Sequence, residues 1–424
     1  MGLSESMLWL RNPYAYLDRA METKGLTFRT RLPVVGSCLF TGDPELVAEI
    51  EQNRDLIGGR GTRALRPVVG DESMIVLEGA AHEKHRRIFV PPFFAEARTS
   101  VDALTTQWTE RALSGLSIGA VTSALELVTQ ITLNVIVEVV FGRLPGERHR
   151  EIVFLLERWM LSFRTPLVLF VRALHLDFGP RSPWGRFRRN RAAVEGFILE
   201  ELNSRRHDPG AGLLGHALVR MREGETLDER ELVSEAITFL LFGHDTTAAA
   251  MAWVLLHLGR NETALRRVAG EWDAQSATTP PDLGRLAYTR AAVEESMRLC
   301  PVVVHLTRHA VRATRVGPHA VAQDERVLPC AYLAHHNRAR FEEPYAFRPE
   351  RFLDGHDLRH AYFPFGFGTR VCAGMPFALR QMLIMTGLLA ARMRYALLEA
   401  DTVRPVRKMV LIVPSGGTRL RRVS

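Results

Sequence analysis

Residues 363 to 374 read Phe-Pro-Phe-Gly-Phe-Gly-Thr-Arg-Val-Cys-Ala-Gly, and this stretch sets one cysteine among residues at fixed offsets from it. The two glycines before Cys372 let the backbone turn tightly and bring amide N–H groups toward the sulfur. An apolar, helix-forming run at 377–393 follows, and its positive N-terminal end favours a thiolate. Arg370 adds a fixed positive charge two residues before the cysteine. The stretch therefore predicts a shielded thiolate, which an axial ligand to haem iron requires.

The offsets in this stretch form a longer pattern, Phe-x-x-Gly-x-Arg-x-Cys-x-Gly, carried by Phe365, Gly368, Arg370, Cys372 and Gly374. The pattern resembles the haem-ligand signature of the cytochrome P450 superfamily. A lone cysteine is more often a buried, inert thiol in a turn, but five matching offsets make that alternative the weaker one. The resemblance implies haem b, iron protoporphyrin IX, as the cofactor.

The resemblance extends over nearly the whole chain and is greatest to soluble bacterial members, which share the Leu-Arg-Pro, His-x-x-x-Arg-Arg and Pro-Pro-Phe arrangement of residues 65 to 93. It implies the cytochrome P450 fold, a mainly α fold with a small β part. In that fold one α-rich, triangular-prism domain has a long central helix over the haem. We accordingly expect residues 1–424 to form a single domain.

Composition agrees with a large globular protein, since 46% of the 424 residues are hydrophobic and 24% are charged. No internal repeat, low-complexity tract or long polar linker argues for a domain boundary. Four cysteines are present, none in a Cys-x-x-Cys pair. A disulfide framework or a cysteine-rich zinc site is therefore not expected.

The charge balance is basic, with a formal net charge of +8 and a pI near 9.7. Of the 55 basic residues only Lys24, Lys84 and Lys408 are lysines, a skew that we attribute to the coding bias of a GC-rich genome. A basic surface would attract an acidic partner. Because no basic stripe is interleaved with stacking aromatics, we expect no nucleic-acid binding.

Residues 1–12 carry Glu5 and Arg11 and contain no long apolar run, so we expect no membrane anchor. The apolar run 127–141 is interrupted by polar residues and predicts a core helix instead. We therefore expect a soluble, cytoplasmic protein of the bacterial type.

Helical periodicity dominates the chain. We predict an amphipathic helix at 13–24, a hairpin at 27–43, and a helix that begins with Asp43 as N-cap and Pro44 in its first turn. Residues rich in Gly, Arg and Pro predict a long loop at 58–79 and a break in the helical pattern at 165–184. Short β-like segments are predicted around 311–316, 325–328 and 409–413.

The longest helix is predicted to start near Thr226, because Thr226 and Glu229 have capping-box spacing. Apolar residues run on to Leu258, a length of roughly 30 residues or about 45 Å. Phe-Gly-His-Asp-Thr-Thr stands in the middle of this run, at 242–247. Buried polar groups must be paired, so these residues require a specific explanation.

The resemblance supplies that explanation, since Gly243 to Thr247 match the family pattern Ala-Gly-x-Asp-Thr-Thr. It implies that Asp245 and Thr246 are catalytic: the Thr246 hydroxyl holds oxygen and an ordered water, and Asp245 gates protons from solvent. The alternative is that Thr246 bonds back to a carbonyl of its own helix. Phe242 departs from the pattern, where a small residue is usual, and is expected to narrow the substrate's approach.

Glu295 and Arg298 lie three residues apart on a short predicted helix, and Arg351 follows in a Pro-Glu-Arg segment. The alternative for the first two is a solvated surface ion pair. By resemblance the three form a buried triad, in which one carboxylate binds two guanidinium groups and fixes the cysteine loop. We expect the triad to be structural rather than catalytic.

Haem carries two propionates, which need positive or donor groups. The family uses a His-x-x-x-Arg pair and two further arginines, which here are His82, Arg86, Arg308 and Arg370. The alternative for His82 and Arg86 is an ordinary basic helix face. The residues expected to bind the cofactor are therefore these four together with Phe365, Gly374 and the iron ligand Cys372.

Resemblance also suggests the walls of a mostly apolar substrate pocket, with Phe242, Val303, His305 and Ser415 among its residues. For His305, a packed histidine with no substrate contact is an equally good interpretation. The segments expected to line the pocket are 58–79, 160–185, 237–242, 303–305 and 413–415.

These features predict a haem-thiolate monooxygenase that inserts oxygen from O2 into a C–H bond of a hydrophobic molecule, such as a terpenoid, steroid, fatty acid or polyketide. No Gly-x-Gly-x-x-Gly follows a strand, so we expect electrons from a separate acidic ferredoxin or flavodoxin that docks at Lys84, Arg87 and Arg380. One alternative is a member of the family that uses peroxide, and the presence of Asp245 and Thr246 argues against it. The other is a haem sensor or carrier, in which that pair would have no use.

Overall fold

The computed structural model describes residues 3–32, 36–91, 97–163, 175, 177–275, 281–355, 357–398 and 400–423. Helices dominate these residues and the strands are short, which confirms the mainly α prediction. Two compact units are distinguished along the chain. Unit 1 comprises Met1–Gly58, Thr99–Ile131 and Thr246–Ser424, and unit 2 comprises Gly59–Arg98 and Thr132–Asp245.

The helices are named in chain order. They are α1 Leu3–Arg11, α2 Pro13–Lys24, α3 Pro44–Gln52, α4 Arg66–Val69, α5 Gly79–Phe89, α6 Ala97–Ser114, α7 Ala124–Phe141, α8 Gly146–Ser162, α9 Pro183–Ser204, α10 Gly212–Arg222, α11 Glu229–Arg260, α12 Glu262–Asp273, α13 Ala287–Leu299, α14 Ala331–His335 and α15 Met375–Leu388. A π-helical turn, Leu389–Met393, continues α15. Both α7 and α11 contribute residues to the two units.

The strands all belong to unit 1 in the described part of the chain. They are β1 Thr27–Leu32, β2 Gly36–Thr41, β3 Leu56–Ile57, β4 Val121–Ser123, β5 Arg308–Ala310, β6 Thr314–Val316, β7 His319–Val321, β8 Arg326–Pro329, β9 Tyr395–Leu398, β10 Pro405–Lys408, β11 Leu411–Pro414 and β12 Arg419–Arg422. The largest sheet has the order β1-β2-β8-β5-β3, and its β2–β8 pair is parallel. Smaller antiparallel sheets have the orders β4-β12-β9, β10-β11 and β6-β7.

The core of unit 1 is built mainly by the C-terminal half of α11, by α12, α13 and α15, and by strand β9. Trp272 of α12 packs against Gly387 of α15 so closely that a Cβ on the glycine would lie 2.1 Å from the indole ring. A second apolar cluster joins α1 and α2 to the first two strands, with Trp9, Tyr16 and Phe40 in edge-on ring contacts. Close packing of this kind is how apolar burial stabilises a fold.

The core of unit 2 contains aromatic side chains from α8 and α9. Trp159 lies 5.4 Å from Phe163 and 6.1 Å from Phe187 between ring centroids. Gly212, the first residue of α10, approaches Gly142 so closely that a Cβ would clash with the Gly142 nitrogen. Its φ of +85° also favours glycine at this position.

Several local predictions are confirmed. Strands β1 and β2 form the antiparallel hairpin, with Thr27 opposite Thr41. Asp43 caps α3 by accepting hydrogen bonds from the backbone N–H groups of Glu45 and Leu46. Residues 308–329 and 405–414 supply the short strands predicted for the C-terminal part of the chain.

Two local predictions were wrong. The capping box of α11 is formed by Asp228 and Glu231, which exchange two side chain-to-backbone hydrogen bonds of 2.8 Å each, and not by Thr226 and Glu229. Residues 58–79 are not one loop, because a 3₁₀ segment at Gly59–Leu65 and helix α4 occupy half of the range. Of the break predicted at 165–184, residues 165–174 and 176 lie outside the described residues, as does most of the Pro-Pro-Phe segment at 91–93.

Candidate active site

The loop before Cys372 is folded by short backbone hydrogen bonds. The Cys372 N–H donates to the carbonyl of Phe365 at 2.9 Å, which closes the loop on itself. Gly366 and Gly368 have φ values of +78° and +65°. Side chains strain the backbone at such angles, so both glycines are required for the turn that the sequence predicted.

Helix α15 begins next to the sulfur. Gly374 stands at the N-cap, and a Cβ built there would lie 4.0 Å from Cys372 Sγ. The side chain of Cys372 is exposed, whereas Cys38 and Cys330 are buried and Cys300 is partly buried. Burial raises the pKa of Cys38 to about 11 and that of Cys330 to about 12, so these are protonated thiols. Cys372 is the accessible thiol, beside the positive end of a helix.

The predicted Glu295–Arg298–Arg351 cluster is assembled. Arg298 Nε and Nη2 donate to the Glu295 carboxylate at 2.7 and 2.9 Å, and Arg351 Nε donates to Glu295 Oε1 at 3.0 Å. Arg348 adds its backbone N–H to the same oxygen at 2.9 Å. Glu295 and Arg298 are fully buried, which argues against a solvated ion pair. A buried charge of this kind is stable only when it is paired and hydrogen-bonded.

His335 connects this triad to the cysteine loop, a role that sequence analysis missed. Arg298 Nη1 donates to the His335 carbonyl at 2.8 Å, and His335 Nε2 accepts the backbone N–H of Phe363 at 3.0 Å. Burial, aided by the charges of His336 and Arg298, holds the pKa of His335 well below its usual range, so the ring is neutral. Its only sequence signal is a histidine at the end of a short apolar helix, which is too common to be informative.

Two candidate propionate ligands, Arg308 and Arg370, lie close together in unit 1. Arg308 is 8% exposed, donates to the carbonyl of Thr307 and covers the ring of Phe367. Burial, with a further contribution from the Arg370 charge, lowers the pKa of Arg308 to about 10. Within the described ranges Arg308 forms no ion pair with a carboxylate, and the charge of Glu51 acts on it only at longer range. A haem propionate would supply a directly bonded negative charge, so the residues present fit the cofactor.

The other two candidates, His82 and Arg86, belong to unit 2 and lie one turn apart on α5, as predicted. His82 is buried and Arg86 is partly exposed. The neighbouring His85 is bonded to α11 by two carboxylates, Glu231 and Glu235. Helix α5 is therefore fixed to α11 independently of any cofactor contact.

Asp245 and Thr246 lie in the middle of α11 and are partly buried, while Thr247 is 3% exposed. In unit 2 the helix is packed tightly here, because a Cβ on Gly243 would lie 2.6 Å from Ile136 Cδ1 on α7. Thr132 of α7 donates its hydroxyl to the carbonyl of His244 at 3.3 Å. This backbone segment is therefore held in place from α7.

The suggested pocket residues have different surroundings. Phe242 is partly buried on α11, and Val303 packs against a small cluster that contains Val413. Ser415 uses its hydroxyl to accept the Arg404 N–H at 2.9 Å. His305 stacks on Trp9 with the ring centroids 5.8 Å apart, and burial with the nearby Arg407 lowers its pKa to about 4. This packing supports the packed-histidine interpretation of His305.

Two helices are long and apolar enough to cross a membrane, α7 and α11. Their most apolar windows are 61% and 78% buried within the protein, as expected for core helices.

A mainly helical fold with an accessible cysteine at a helix N-terminus and a buried arginine, Arg308, beside the charge of Arg370 has the features of a thiolate-ligated haem protein. The family model described as Cytochrome P450 matches residues 6–420. The chain belongs to the cytochrome P450 family.

Individual relatives agree with this membership. A Mycobacterium tuberculosis protein provisionally named cytochrome P450 135B1 is 25% identical over 99% of this chain and 89% of its own length. Another, provisionally named cytochrome P450 137, is 28% identical over 86% of this chain and 76% of its own. The solved structure of a cyanobacterial CYP120A1 with retinoic acid bound matches with a TM-score of 0.84 and 20% identity, over 98% of this chain and 96% of that one.

Family membership establishes the general class of enzyme and its cofactor. The protein is an enzyme, a monooxygenase oxidoreductase, and it binds haem b through a cysteine thiolate. The close match to CYP120A1 confirms the cytochrome P450 fold. A non-enzymatic haem sensor or carrier, one of the two alternatives considered from the sequence, is thereby disfavoured.

Proposed function

We propose that Cys372 is the axial thiolate and that the enzyme hydroxylates a hydrophobic small molecule with O2. The observation that carries this proposal is the position of Cys372, which is exposed and stands in a glycine-dependent turn at the N-terminus of α15. The helix end favours negative charge on the sulfur. The triad and His335 keep the loop in this conformation from behind.

In this proposal Arg308 and Arg370 would hold the propionates, and His82 and Arg86 are the further candidates that the family pattern supplies. Phe365 and Gly374 would contact the cofactor from the cysteine loop. The strongest support is Arg308. Its guanidinium group is buried near the charge of Arg370, and among the described residues no carboxylate forms an ion pair with Arg308. Hydrogen bonds between arginine and an anion are among the strongest in proteins.

When bound, the haem supplies the activation of O2. The protein must then deliver protons on the distal side, and we assign this to Asp245 and Thr246. Thr246 Oγ1 would hold a water molecule by a hydrogen bond, and the Asp245 carboxyl group would exchange protons between that water and solvent. The packing of Gly243 against Ile136 holds this part of α11 in position, so the two side chains are oriented before substrate binds.

The substrate we propose is apolar: a terpenoid, steroid, fatty acid or polyketide. Phe242 and Val303 present hydrocarbon surface, which favours such molecules. Retinoic acid, a terpenoid-derived acid, is bound in the cyanobacterial CYP120A1. That ligand supports testing isoprenoid acids first.

Electrons would come from a separate acidic ferredoxin or flavodoxin. The suggested docking residues are already paired: Arg87 with Glu225, Lys84 with Glu231 and Arg380 with Asp102. Arg87 is the most exposed of them, at 62% of its side chain. If exposed arginines attract the acidic electron donor, added salt should weaken the complex between the two proteins. We also propose a cytoplasmic location, supported by the burial of α7 and α11.

The test compares the reduced, carbon monoxide-treated spectra of the wild type, Cys372→Ser and the matched control Cys300→Ser. Wild type and control should show the red-shifted band of sulfur-ligated haem, and Cys372→Ser should lack it. Retention of the band in Cys372→Ser would exclude the assignment. Product formation with peroxide but with no reductase system would favour the peroxide-using alternative.

A further inference from the structure

A continuous chain of ionisable side chains leads from the surface of unit 2 to the buried face of α11. Lys84 Nζ lies 2.8 Å from Glu231 Oε1, and the same oxygen lies 3.0 Å from His85 Nε2. The second ring nitrogen of His85, Nδ1, lies 2.6 Å from Glu235 Oε1. The exposed fraction falls from 29% for Lys84 and 16% for Glu231 to 1% for His85 and 0% for Glu235. The chain therefore connects solvent with a fully buried carboxyl group.

Glu235 has an unsatisfied oxygen at the inner end of this chain. Its Oε1 accepts the Met74 N–H at 2.6 Å and faces His85, but its buried Oε2 has no hydrogen-bond partner among the described residues. A buried carboxylate oxygen without a donor costs free energy, and a bound proton removes much of that cost. Glu235 is therefore suited to carry a proton.

The pKa values shift in the direction that such a role needs. Burial raises the pKa of Glu235, against the opposing effect of His85. Burial opposes a charge on His85, but its hydrogen bonds to Glu235 and Glu231 outweigh this and raise its pKa. At neutral pH the pair accordingly holds a proton more firmly than either group would alone, and the two titrate together.

The same helix face continues toward the proposed catalytic pair. Glu231, Glu235, Thr238, Phe242 and Asp245 follow one another at spacings of four and three residues, so they lie along one side of α11. From the first to the last this stripe is about 21 Å long at the helical rise. Phe242 is its apolar member and stands between Thr238 and Asp245.

The next residue of the stripe, Thr238, belongs to a hydroxyl pair. Ser73 and Thr238 are both buried, and their hydroxyl oxygens lie 2.7 Å apart. The Thr238 hydroxyl donates to the carbonyl of Ser234 at 2.6 Å, so the Ser73 hydroxyl is the donor between the two. Thr238 is one turn beyond Glu235 on α11.

Other charged groups around the cluster are engaged elsewhere. In the loop before α5, Asp71 pairs with Arg66. On the next residues of α5 and beyond α10, Arg87 pairs with Glu225. Arg191, which donates to the carbonyl of Val68, pairs with Glu195 of its own helix α9. The pKa values of His85 and Glu235 are therefore governed by burial, by the interaction between the two groups and by Glu231.

We propose that Glu231, His85 and Glu235 form a proton-uptake path that supplies Asp245 from solvent. A proton enters from water at the partly exposed end and is held between His85 Nδ1 and Glu235 Oε1. It leaves from the Glu235 carboxyl group and is passed along water molecules to Asp245, about 15 Å away at the helical rise. The pair loses one positive charge when the proton leaves and regains it by uptake from solvent. The inference rests on the proposed role of Asp245 and Thr246.

The first test does not depend on turnover. Infrared difference spectra of the ferric holoenzyme, recorded as the pH is raised and lowered, should show the band of a protonated buried carboxyl group. The band should be absent from Glu235→Gln and present in His149→Gln. His149 is a matched control, because it is also buried in unit 2 but bonds to the neutral Asn134 at 2.7 Å. A band that persists in Glu235→Gln would overturn the proposal.

The second test measures the share of consumed electrons that appears as peroxide instead of product. Glu235→Gln and Glu231→Gln should raise this share at least twofold over wild type and His149→Gln. Glu231 is partly exposed, so its variant keeps the test decisive if Glu235→Gln fails to fold. An unchanged share in both carboxylate variants would exclude the path.

Asp245→Asn distinguishes a failure of the proposed role of Asp245 from a failure of the proton-uptake path. If it leaves the peroxide share unchanged, the proposed function of Asp245 is wrong, and the infrared band still decides whether Glu235 stores a proton. If Asp245→Asn raises the share and neither carboxylate variant does, the uptake path is wrong and the function of Asp245 stands.

Discussion

Replacement of Gly243 by alanine tests why helix α11 has glycine at this position. The new Cβ would lie 2.6 Å from Ile136 Cδ1 and 2.8 Å from its Cγ1, both on a fully buried side chain. Overpacking of this kind costs about 1–3 kcal/mol. Alanine in place of glycine inside a helix stabilises the folded state by about 1 kcal/mol, because its helix propensity is higher. The net expectation is a loss of about 1 kcal/mol in the free energy of unfolding.

The effect of Gly243→Ala on the free energy of unfolding should change sign once the clashing atoms of Ile136 are removed. Ile136→Ala deletes both of them, at its own cost of about 2–5 kcal/mol. In that background Gly243→Ala should stabilise the protein by about 1 kcal/mol, since only the gain in helix propensity remains. The coupling between the two positions is then about 1–3 kcal/mol.

The wild type, Gly243→Ala, Ile136→Ala and the double variant form a double-mutant cycle. Urea unfolding followed by circular dichroism gives the midpoint and slope for each of the four proteins. Gly196→Ala on α9 is the matched control, because a Cβ there meets nothing within 4 Å. It should stabilise the protein by a similar amount whether or not Ile136 is present. Equal destabilisation by Gly243→Ala in both backgrounds would refute the packing argument.

Further substitutions test the site. Glu295→Gln leaves Arg298 buried without its full counter-charge and should cost about 3–5 kcal/mol of stability in urea titrations, with weaker sulfur ligation in the carbon monoxide spectrum. Arg308→Met should speed haem loss to an acceptor apoprotein roughly tenfold or more without destabilising the haem-free protein, since a charge-assisted bond is lost and a like-charge contact is relieved. Burial lowers the pKa of His257 to about 3, so the unfolded state takes up the proton first and stability should fall by about 1.4 kcal/mol per unit as pH drops from the usual histidine range toward 3; His257→Gln should flatten this slope. Phe242→Ala should change substrate affinity or product pattern in spectral titrations and product analysis, and no change in either would show that Phe242 does not restrict the pocket.

The cysteine loop and its family could be read from the sequence because the chemistry is local. Glycines at 366 and 368, the helix after Cys372 and the arginine at 370 all lie within about a dozen residues, where spacing determines geometry. The structure shows the left-handed φ angles at both glycines and the helix start beside the sulfur.

The start of α11 was misplaced because two capping boxes fit the sequence. Thr226 and Glu229 have the right spacing, but so do Asp228 and Glu231. Glu231 also bonds to Lys84 and His85, which lie 147 and 146 residues earlier in the chain. Tertiary contacts of this kind decide between equal local signals, and a sequence pattern does not contain them.

The links behind the cysteine loop were only half predictable. The triad followed from its resemblance to the family, whereas His335 contacts Phe363 across 28 residues and has no motif of its own. Likewise, the acidic and histidine groups of the proton-uptake path are separated by about 150 residues and meet only in the folded unit. Long-range pairing of single side chains is the part of a site that spacing cannot reveal.

The bond between His335 and Phe363 limits which amino acids can stand at position 335. The ring nitrogen serves as a neutral acceptor for a main-chain amide. Glutamine or asparagine could imitate that acceptor, whereas leucine would leave the amide unpaired at a cost of about 1–3 kcal/mol. Libraries that redesign this enzyme for new substrates should keep this position fixed, because an exchange there would loosen the turn before Cys372.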